Sequence, residues 1–223
     1  MKYVRPLTLY RELLKKNRAL LKATEEPHSI NLNLLKKYVN LEYPENLMAL
    51  ADRSLELSKK PPQMYRLVAF NIIRDGITFS VPGYPDNKEA FFLKFHPYAV
   101  RGIEAPYLKA TLERFILSYN LMGFVVGYPC NNKKENLNRA QVRKFMDDMC
   151  KDKRFEDLKY TFWDSKFASK VGELMSNFSD VPQYAHKRII DMYSAVGILQ
   201  DYLDFANKKT LELCKEEDGV GIN

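Results

Sequence analysis

The spacing of apolar positions changes once along the chain. In residues 7–22 they recur at close to 3.6 residues, which predicts an amphipathic helix. Shorter helical patterns follow at 30–39 and 44–58, and the stretch "KKPP" (59–62) ends the last of them as a linker. The first 62 residues are therefore predicted to form an all-helical extension of about three helices.

A strand-like pattern begins at Met64. Two β-rich runs flank Asp75-Gly76, a strong hairpin signal. A third strand follows, and then helices alternate with apolar strands. This order predicts an α/β domain over 63–207, with three antiparallel and two parallel strands in a five-stranded mixed sheet flanked by helices, and a C-terminal tail over 208–223. The predicted strands are 64–73, 77–83, 89–98, 121–129 and 158–164; the predicted helices are 104–120, 136–152, 166–178 and 183–206.

Charge is distributed unevenly along the chain. The net charge is +7, and the first 60 residues contain 12 basic and 7 acidic side chains, a net +5. A basic extension on a nearly neutral domain suits RNA, DNA or an acidic protein partner, and ordinary solubility explains it equally well. No acidic residue precedes Glu12, which is typical of an organellar targeting segment. We expect a mitochondrial location, with a cytoplasmic one as the alternative.

Several site classes are excluded by composition and motif. The three cysteines are far apart without CxxC spacing, which indicates reduced thiols and excludes a zinc or disulfide framework. No P-loop, GxGxxG, HExxH or Ser-His-Asp pattern is present. No run of 18 apolar residues occurs, so a membrane span is not expected.

Polar side chains lie where ligands gather in open α/β sheets, at the carboxyl ends of the strands. Asn71 lies in the first strand, Asp164 and Ser165 end the last one, and Asp191 lies near the start of the final helix. A two-metal nuclease needs carboxylates from separate elements. Asp191 suits that role, whereas Asn71 and Ser165 are neutral. Asp191 is equally explained by the helix macrodipole, which favours negative charge in a first turn.

Four stretches resemble one family. "FVVGYPCNNKKENLNRAQVRKFMDDM" (124–149), "TFWDSKFASKVGELM" (161–175) and "KRIIDMYSAVGILQDYLD" (187–204) are similar, in that order, to the YqgF/RuvX family of Holliday junction resolvase-like proteins. The first strand, within 66–81, matches more weakly. The resemblance covers about the last 160 residues and implies an RNase H-like fold.

The same resemblance implies a degenerate site. The three acidic positions of the family fall on Asn71, Ser165 and Asp191, so only one remains acidic. Asp164 matches the family residue before the second acid, and strand side chains alternate, so it should point away from Ser165. The implied protein is a pseudoenzyme without catalytic residues, metal or cofactor. Mg²⁺ would be needed only if a rearranged pair of Asp164 and Asp191 still cleaved nucleic acid.

Basic residues at the same sheet edge are candidate phosphate contacts. Lys133, Lys134 and Arg139 lie in or beside the polar loop 128–139, and Lys187 and Arg188 precede Asp191. The alternative for the loop is a solvated connection whose asparagines cap the next helix.

A second resemblance concerns the first helix. Leu9, Tyr10 and Arg11 resemble the start of an LYR-motif protein, a class of mitochondrial assembly factors of which many bind an acyl carrier protein. These three residues are the predicted partner-binding positions. An ordinary amphipathic helix explains the tripeptide as well.

These features lead to two functional hypotheses. The first is a non-catalytic resolvase-like protein, a structural or RNA-binding subunit of a large organellar ribonucleoprotein, with the mitochondrial ribosome first among the possibilities. Its partners would be ribosomal RNA and neighbouring proteins. The second is an active metal-dependent nuclease that acts on branched DNA or ribosomal RNA ends.

Overall fold

The computed structural model describes residues 1–24, 64–73, 76–83, 89–97, 106–129, 137–167 and 183–219. The chain divides into two compact units, Met1–Leu14 with Tyr65–Asn223, and Lys15–Met64. The strands are β1 (Lys2–Tyr3), β2 (Arg66–Ile73), β3 (Gly76–Pro82), β4 (Ala90–Pro97), β5 (Leu121–Tyr128) and β6 (Lys159–Asp164). The helices are α1 (Pro6–Thr24), α2 (Pro106–Tyr119), α3 (Leu137–Lys151) and α4 (Gln183–Gly219), with short 3-10 helices at Lys153–Phe155 and Ser165–Phe167.

The strands form one mixed sheet in the order β1-β6-β5-β2-β3-β4. β3 pairs antiparallel with β2 and β4, whereas β5 is parallel to β2 and β6 is parallel to β5. This arrangement confirms the predicted RNase H-like mixed sheet with its three antiparallel and two parallel strands. The prediction missed β1, which pairs parallel with β6, because a strand of two residues has no readable period.

The sheet is covered on both faces, which explains why its central strands are almost wholly apolar. On the α2/α3 face, Val68 and Phe70 pack with aromatic and aliphatic side chains of both helices. On the α1/α4 face, Leu67 and Ala69 pack with the two other helices. Alternation along β2 therefore assigns each of its side chains to one of two cores.

The beginning of α1 is part of the α/β unit. Leu9, Tyr10 and Leu13 are buried in the α1/α4 core. Tyr202 in α4 donates a hydrogen bond from its hydroxyl to the Pro6 carbonyl at 2.9 Å. The predicted extension over 1–62 thus shares its first 14 residues with the domain that follows. Its predicted helices at 30–39 and 44–58 lie outside the described residues.

The final helix continues beyond its apolar pattern. It was predicted to end at 206, and it extends to Gly219 through residues assigned to the tail. Lys209 and Glu212 form an ion pair at 2.7 Å, one helical turn apart, which supports this exposed part. The predicted helix 166–178 lies outside the described residues except at its start, where Ser165–Phe167 is a 3-10 helix. Within the described ranges, no helix is both long enough and apolar enough to cross a bilayer.

Candidate functional site

Two of the three positions singled out from the sequence meet between β2 and α4. The side-chain amide nitrogen of Asn71 donates to Ser194 Oγ at 2.9 Å. The hydroxyl of Ser194 in turn donates to the backbone carbonyl of Asp191 at 2.7 Å. Ser194 therefore links Asn71 to the backbone at Asp191, the two positions that the resemblance assigns to the first and third acids of the family. It was not identified from the sequence, because a serine inside an apolar helix carries no catalytic signature.

The hydroxyl of Ser194 has no hydrogen left for a further acceptor. Its one hydrogen goes to the Asp191 carbonyl, so Thr78 Oγ1, at 3.1 Å, must act as donor to it. Ser194 then accepts from both Asn71 and Thr78. Thr78 is fully buried and Ser194 is almost so. The centre of this site is thus a satisfied network of neutral groups that joins α4 to β2 and β3.

The sheet and α4 approach each other closely beside Asn71. A Cβ atom at Gly127 in β5 would lie 2.6 Å from Asn71 Oδ1 and 2.5 Å from Ile198 Cδ1. Both distances are too short for a real contact, so only glycine fits here without movement of its neighbours. On the β3 side, Ser80 Oγ donates to the Ala195 carbonyl at 2.7 Å. The groups around Asn71 are therefore closely packed.

Side chains in β6 alternate between the two faces of the sheet. The Phe162 ring packs against Tyr128 with centroids 4.8 Å apart, on the α2/α3 face. The next residue, Trp163, packs against Tyr202 at 5.4 Å, on the α1/α4 face. Asp164 ends the strand and by alternation lies on the Phe162 side.

Asp164 and Asp191 belong to elements on different faces of the sheet. Asp164 Oδ1 accepts a hydrogen bond from the Lys166 backbone at 3.0 Å, which caps the 3-10 turn that Ser165 begins. Asp191 lies on α4, which packs on the opposite face. Asp191 also lies eight residues after Gln183. The macrodipole explanation was therefore wrong, because that effect fades within the first turn.

One predicted nucleic-acid contact is fully described. Arg139 lies in the first turn of α3, where its Nε donates to the Pro129 carbonyl at 2.5 Å and its guanidinium lies 5.5 Å from the Tyr128 ring centroid. Arg143, one turn later, lies 5.8 Å from the same ring and is not among the basic residues that the sequence pattern indicates. Lys133 and Lys134 lie outside the described residues. Lys187 and Arg188 lie in α4, where the structure describes the backbone alone.

The three predicted partner-binding residues divide into buried and exposed positions. Leu9 and Tyr10 are 0% and 2% exposed, and Tyr10 donates from its hydroxyl to Asn207 Oδ1 at 2.5 Å. Arg11 is exposed. Leu9 and Tyr10 thus hold α1 against α4, and neither is accessible to a second protein in this structure.

The largest described perturbation of a carboxyl pKa lies away from Asn71. Arg154 forms hydrogen bonds with Asp152, one of them from Nε at 2.8 Å, and an ion pair with Glu113 of α2. The hydrogen bond from Arg154 lowers the pKa of Asp152 to about 2, against the opposing effect of burial. This group fastens α2 to the turn before β6. Among the described residues, no three His, Cys, Asp or Glu side chains are arranged to hold a metal ion.

Comparisons with known proteins agree with the fold. A family model described as RuvX, Holliday junction resolvase, matches residues 101–205. A Caldicellulosiruptor saccharolyticus protein is 27% identical over 112 residues, which cover 50% of this chain and 80% of that one. A Desulfitobacterium hafniense protein is 30% identical over 98 residues, which cover 44% of this chain and 68% of that one. Both are named "Putative pre-16S rRNA nuclease".

A solved structure, Archaeoglobus fulgidus Pelota, matches with a TM-score of 0.30 and 13% identity over 80% of this chain and 42% of that one, which is too low to inform the fold. The matched region of the family model contains β5, α3, β6 and the part of α4 that carries Asp191 and Ser194. With the mixed sheet and the sequence matches in agreement, this chain belongs to the RuvX (YqgF) family of Holliday junction resolvase-like proteins.

Proposed function

We propose that this protein is a non-catalytic member of the RuvX family that serves as a structural or RNA-binding subunit of a large organellar ribonucleoprotein. Among such assemblies we place the mitochondrial ribosome first. The observation that carries the proposal is the hydrogen bond from Asn71 to Ser194. A neutral amide takes the place that the resemblance assigns to the first acid of the family, and one of its two N–H hydrogens is engaged by Ser194 within the fold.

The donor set around Asn71 is a poor match for a pair of Mg²⁺ ions. Hard divalent cations favour carboxylate oxygens, whereas the groups that converge here are an amide, two hydroxyls and a backbone carbonyl. The close approach at Gly127 also leaves no space for an ion between that glycine and Asn71. We therefore derive no catalytic step through a metal in this site.

The alternative function is an active nuclease on branched DNA or ribosomal RNA ends, which the names of the relatives favour. It requires Asp164 and Asp191 to share a metal. Alternation along β6 assigns Asp164 to the α2/α3 face, whereas Asp191 belongs to α4, which packs on the opposite face; this separation supports the non-catalytic proposal.

A cleavage assay separates the two functions. Purified protein is incubated with a synthetic four-way DNA junction, or with an RNA that carries a precursor end of small-subunit ribosomal RNA, in Mg²⁺ or Mn²⁺. We expect no cleavage. Cleavage by the wild-type protein that disappears in Asp191→Asn would overturn the proposal. Cleavage that persists in this variant would overturn it as well if the activity co-elutes with the protein on further purification, and is a contaminant if it does not.

The assembly is tested in the source cell. Tagged protein is located by microscopy, and mitochondrial extract is separated on a sucrose gradient with and without EDTA, which dissociates ribosomes. We expect mitochondrial localisation and sedimentation with ribosomal RNA that shifts with EDTA. Protein that stays at the top of both gradients, or that is found only in the cytoplasm, would contradict the proposed assembly. An acyl carrier protein among the co-purified partners would require a surface other than Leu9 and Tyr10, which are buried.

A further inference from the structure

Four aromatic side chains form a continuous row at the β1 edge of the sheet, on the α2/α3 face. The ring centroids of Tyr128 and Phe162 are 4.8 Å apart, those of Phe162 and Tyr160 are 5.4 Å apart, and those of Tyr160 and Tyr3 are 5.6 Å apart. We call Tyr3, Tyr128, Tyr160 and Phe162 the aromatic strip. It spans three neighbouring strands, β5, β6 and β1.

The aromatic strip differs from the buried aromatic core in its exposure. Phe70 and Phe124 in the sheet centre are fully buried, whereas Tyr3 is 49% exposed and the other three residues are half-buried. The difference arises because β1 is the last strand of the sheet and has only two residues. Accessible ring surface therefore remains at the Tyr3 end of the strip, whereas the hydroxyl of Tyr128 at the other end is buried.

One end of the aromatic strip is positively charged. Arg139 and Arg143 lie one turn apart on α3, with guanidinium groups 5.5 and 5.8 Å from the Tyr128 ring centroid, and Arg143 is exposed. Asp147, a further turn along α3, lies towards Tyr160 at the other end and makes that end less positive. A ligand with a phosphate near Tyr128 and apolar rings beyond it would match this order.

We propose that the aromatic strip, with Arg139 and Arg143, binds single-stranded RNA. Unpaired bases stack on exposed aromatic rings and on guanidinium planes, whereas bases inside a duplex cannot reach them. The two arginines bind backbone phosphate at the Tyr128 end. The inference rests on the proposed RNA-associated function and identifies the surface of the domain that would bind the RNA. The surface lies on the face opposite Asn71 and Ser194, so binding does not use the former acidic site.

The test is fluorescence anisotropy of the full chain with a labelled oligouridine, and with an RNA hairpin duplex as the double-stranded comparison. Tyr3→Ala and Arg143→Ala are the test variants, because both side chains are accessible and their removal preserves the core. Tyr3→Phe retains the ring. Arg114→Ala, at an exposed arginine on α2, is the matched control for charge. Circular dichroism and thermal unfolding confirm that each variant is folded.

We expect preferential binding of the oligouridine over the duplex. Tyr3→Ala should weaken it roughly fivefold or more, from the measured range of base–aromatic stacking, and Tyr3→Phe should not. Arg143→Ala should weaken binding and also reduce the salt dependence by about 0.7 in the slope of log affinity against log salt. Tyr3→Ala should leave that slope unchanged, and Arg114→Ala should alter neither quantity.

Two results overturn the aromatic strip as an RNA site. In the first, the wild-type protein binds the oligouridine, and Tyr3→Ala and Arg143→Ala bind it with the same affinity; RNA then contacts another surface, and the proposed RNA-associated function stands. In the second, the wild-type protein binds no single-stranded RNA. If the two variants also dissociate from ribosomal particles in that case, the strip contacts a protein. The sucrose gradient assay tests the subunit role independently of both results.

Discussion

The side-chain amide of Asn71 donates a hydrogen bond to Ser194 Oγ at 2.9 Å, across a sequence separation of 123 residues. The hydroxyl of Ser194 donates its one hydrogen bond to the Asp191 carbonyl. It can therefore only accept a hydrogen bond from residue 71. An aspartate cannot donate in its ionised form. Position 71 thus holds a hydrogen-bond donor in this chain, and replacement of Asn71 by an ionised aspartate would be unfavourable by itself.

Asn71→Asp should destabilise the protein. The carboxylate would face Ser194 Oγ with no hydrogen between them, at a cost of about 1–3 kcal/mol in free energy of unfolding. Asn71→Ala, which removes the donor without adding charge, should cost less. Urea unfolding with and without Mg²⁺ measures both. A variant as stable as the wild type, or one stabilised by Mg²⁺ through binding to the folded state, would contradict the neutral network.

Gly127→Ala should also destabilise the protein, by about 1–3 kcal/mol, because the new methyl group would overlap Asn71 and Ile198. Ile198→Val in the same chain should recover part of the loss. Gly83→Ala is the matched control, since its Cβ would meet the ring of Phe91 at 2.5 Å, and Phe91 is 50% exposed and can turn outwards. Equal losses in free energy of unfolding at Gly127 and Gly83 would show that β5, β2 and α4 are not closely packed at this point.

The first helix should contribute to the stability of the α/β unit. Tyr10→Phe removes the hydroxyl that donates to Asn207 and should cost about 1 kcal/mol. Tyr10→Ala also empties a buried position and should cost about 3–5 kcal/mol. Thermal unfolding ranks the stabilities of the two Tyr10 variants. Arg11→Ala, at the exposed neighbouring position, should change the stability little. A stable Tyr10→Ala protein that loses a binding partner would instead favour the LYR-type function.

Asp152 should contribute an acid-sensitive part of the stability. Its pKa falls from 3.8 to about 2 in the folded protein, so the folded state favours the carboxylate. The contribution is complete above the ordinary pKa and disappears as the pH falls from about 4 towards about 2. Since Arg154 and Glu113 are both partly exposed, we expect on the order of 1 kcal/mol.

The Asp152 contribution is measured by comparing wild type and Asp152→Asn at a series of pH values. The difference in free energy of unfolding should be present at neutral pH and should shrink as the pH falls. Asp148→Asn removes an i,i+3 pair with Lys151, which is 77% exposed, and should have a smaller effect with little pH dependence. A constant difference for Asp152→Asn down to about pH 2 would contradict the role of its ionisation.

The RNase H-like sheet was readable from local patterns. The Asp-Gly turn and the apolar runs predicted five strands and their directions, because periodicity and turn chemistry are properties of neighbouring residues. The approximate ranges of α2, α3 and the first part of α4 followed in the same way. The absence of a carboxylate at positions 71 and 165 was also apparent, because it depends only on residue type.

Tertiary structure alone decided how the distant parts meet. A strand of two residues, β1, exists because β6 offers it an edge, and the apolar side of α1 belongs to the domain because α4 covers it. The donor role of Asn71 depends on Ser194, whose serine has no signature of its own. The aromatic strip joins Tyr3 to β6 across more than half of the chain. Such contacts depend on which surfaces pack together, and periodicity along the chain carries no information about that.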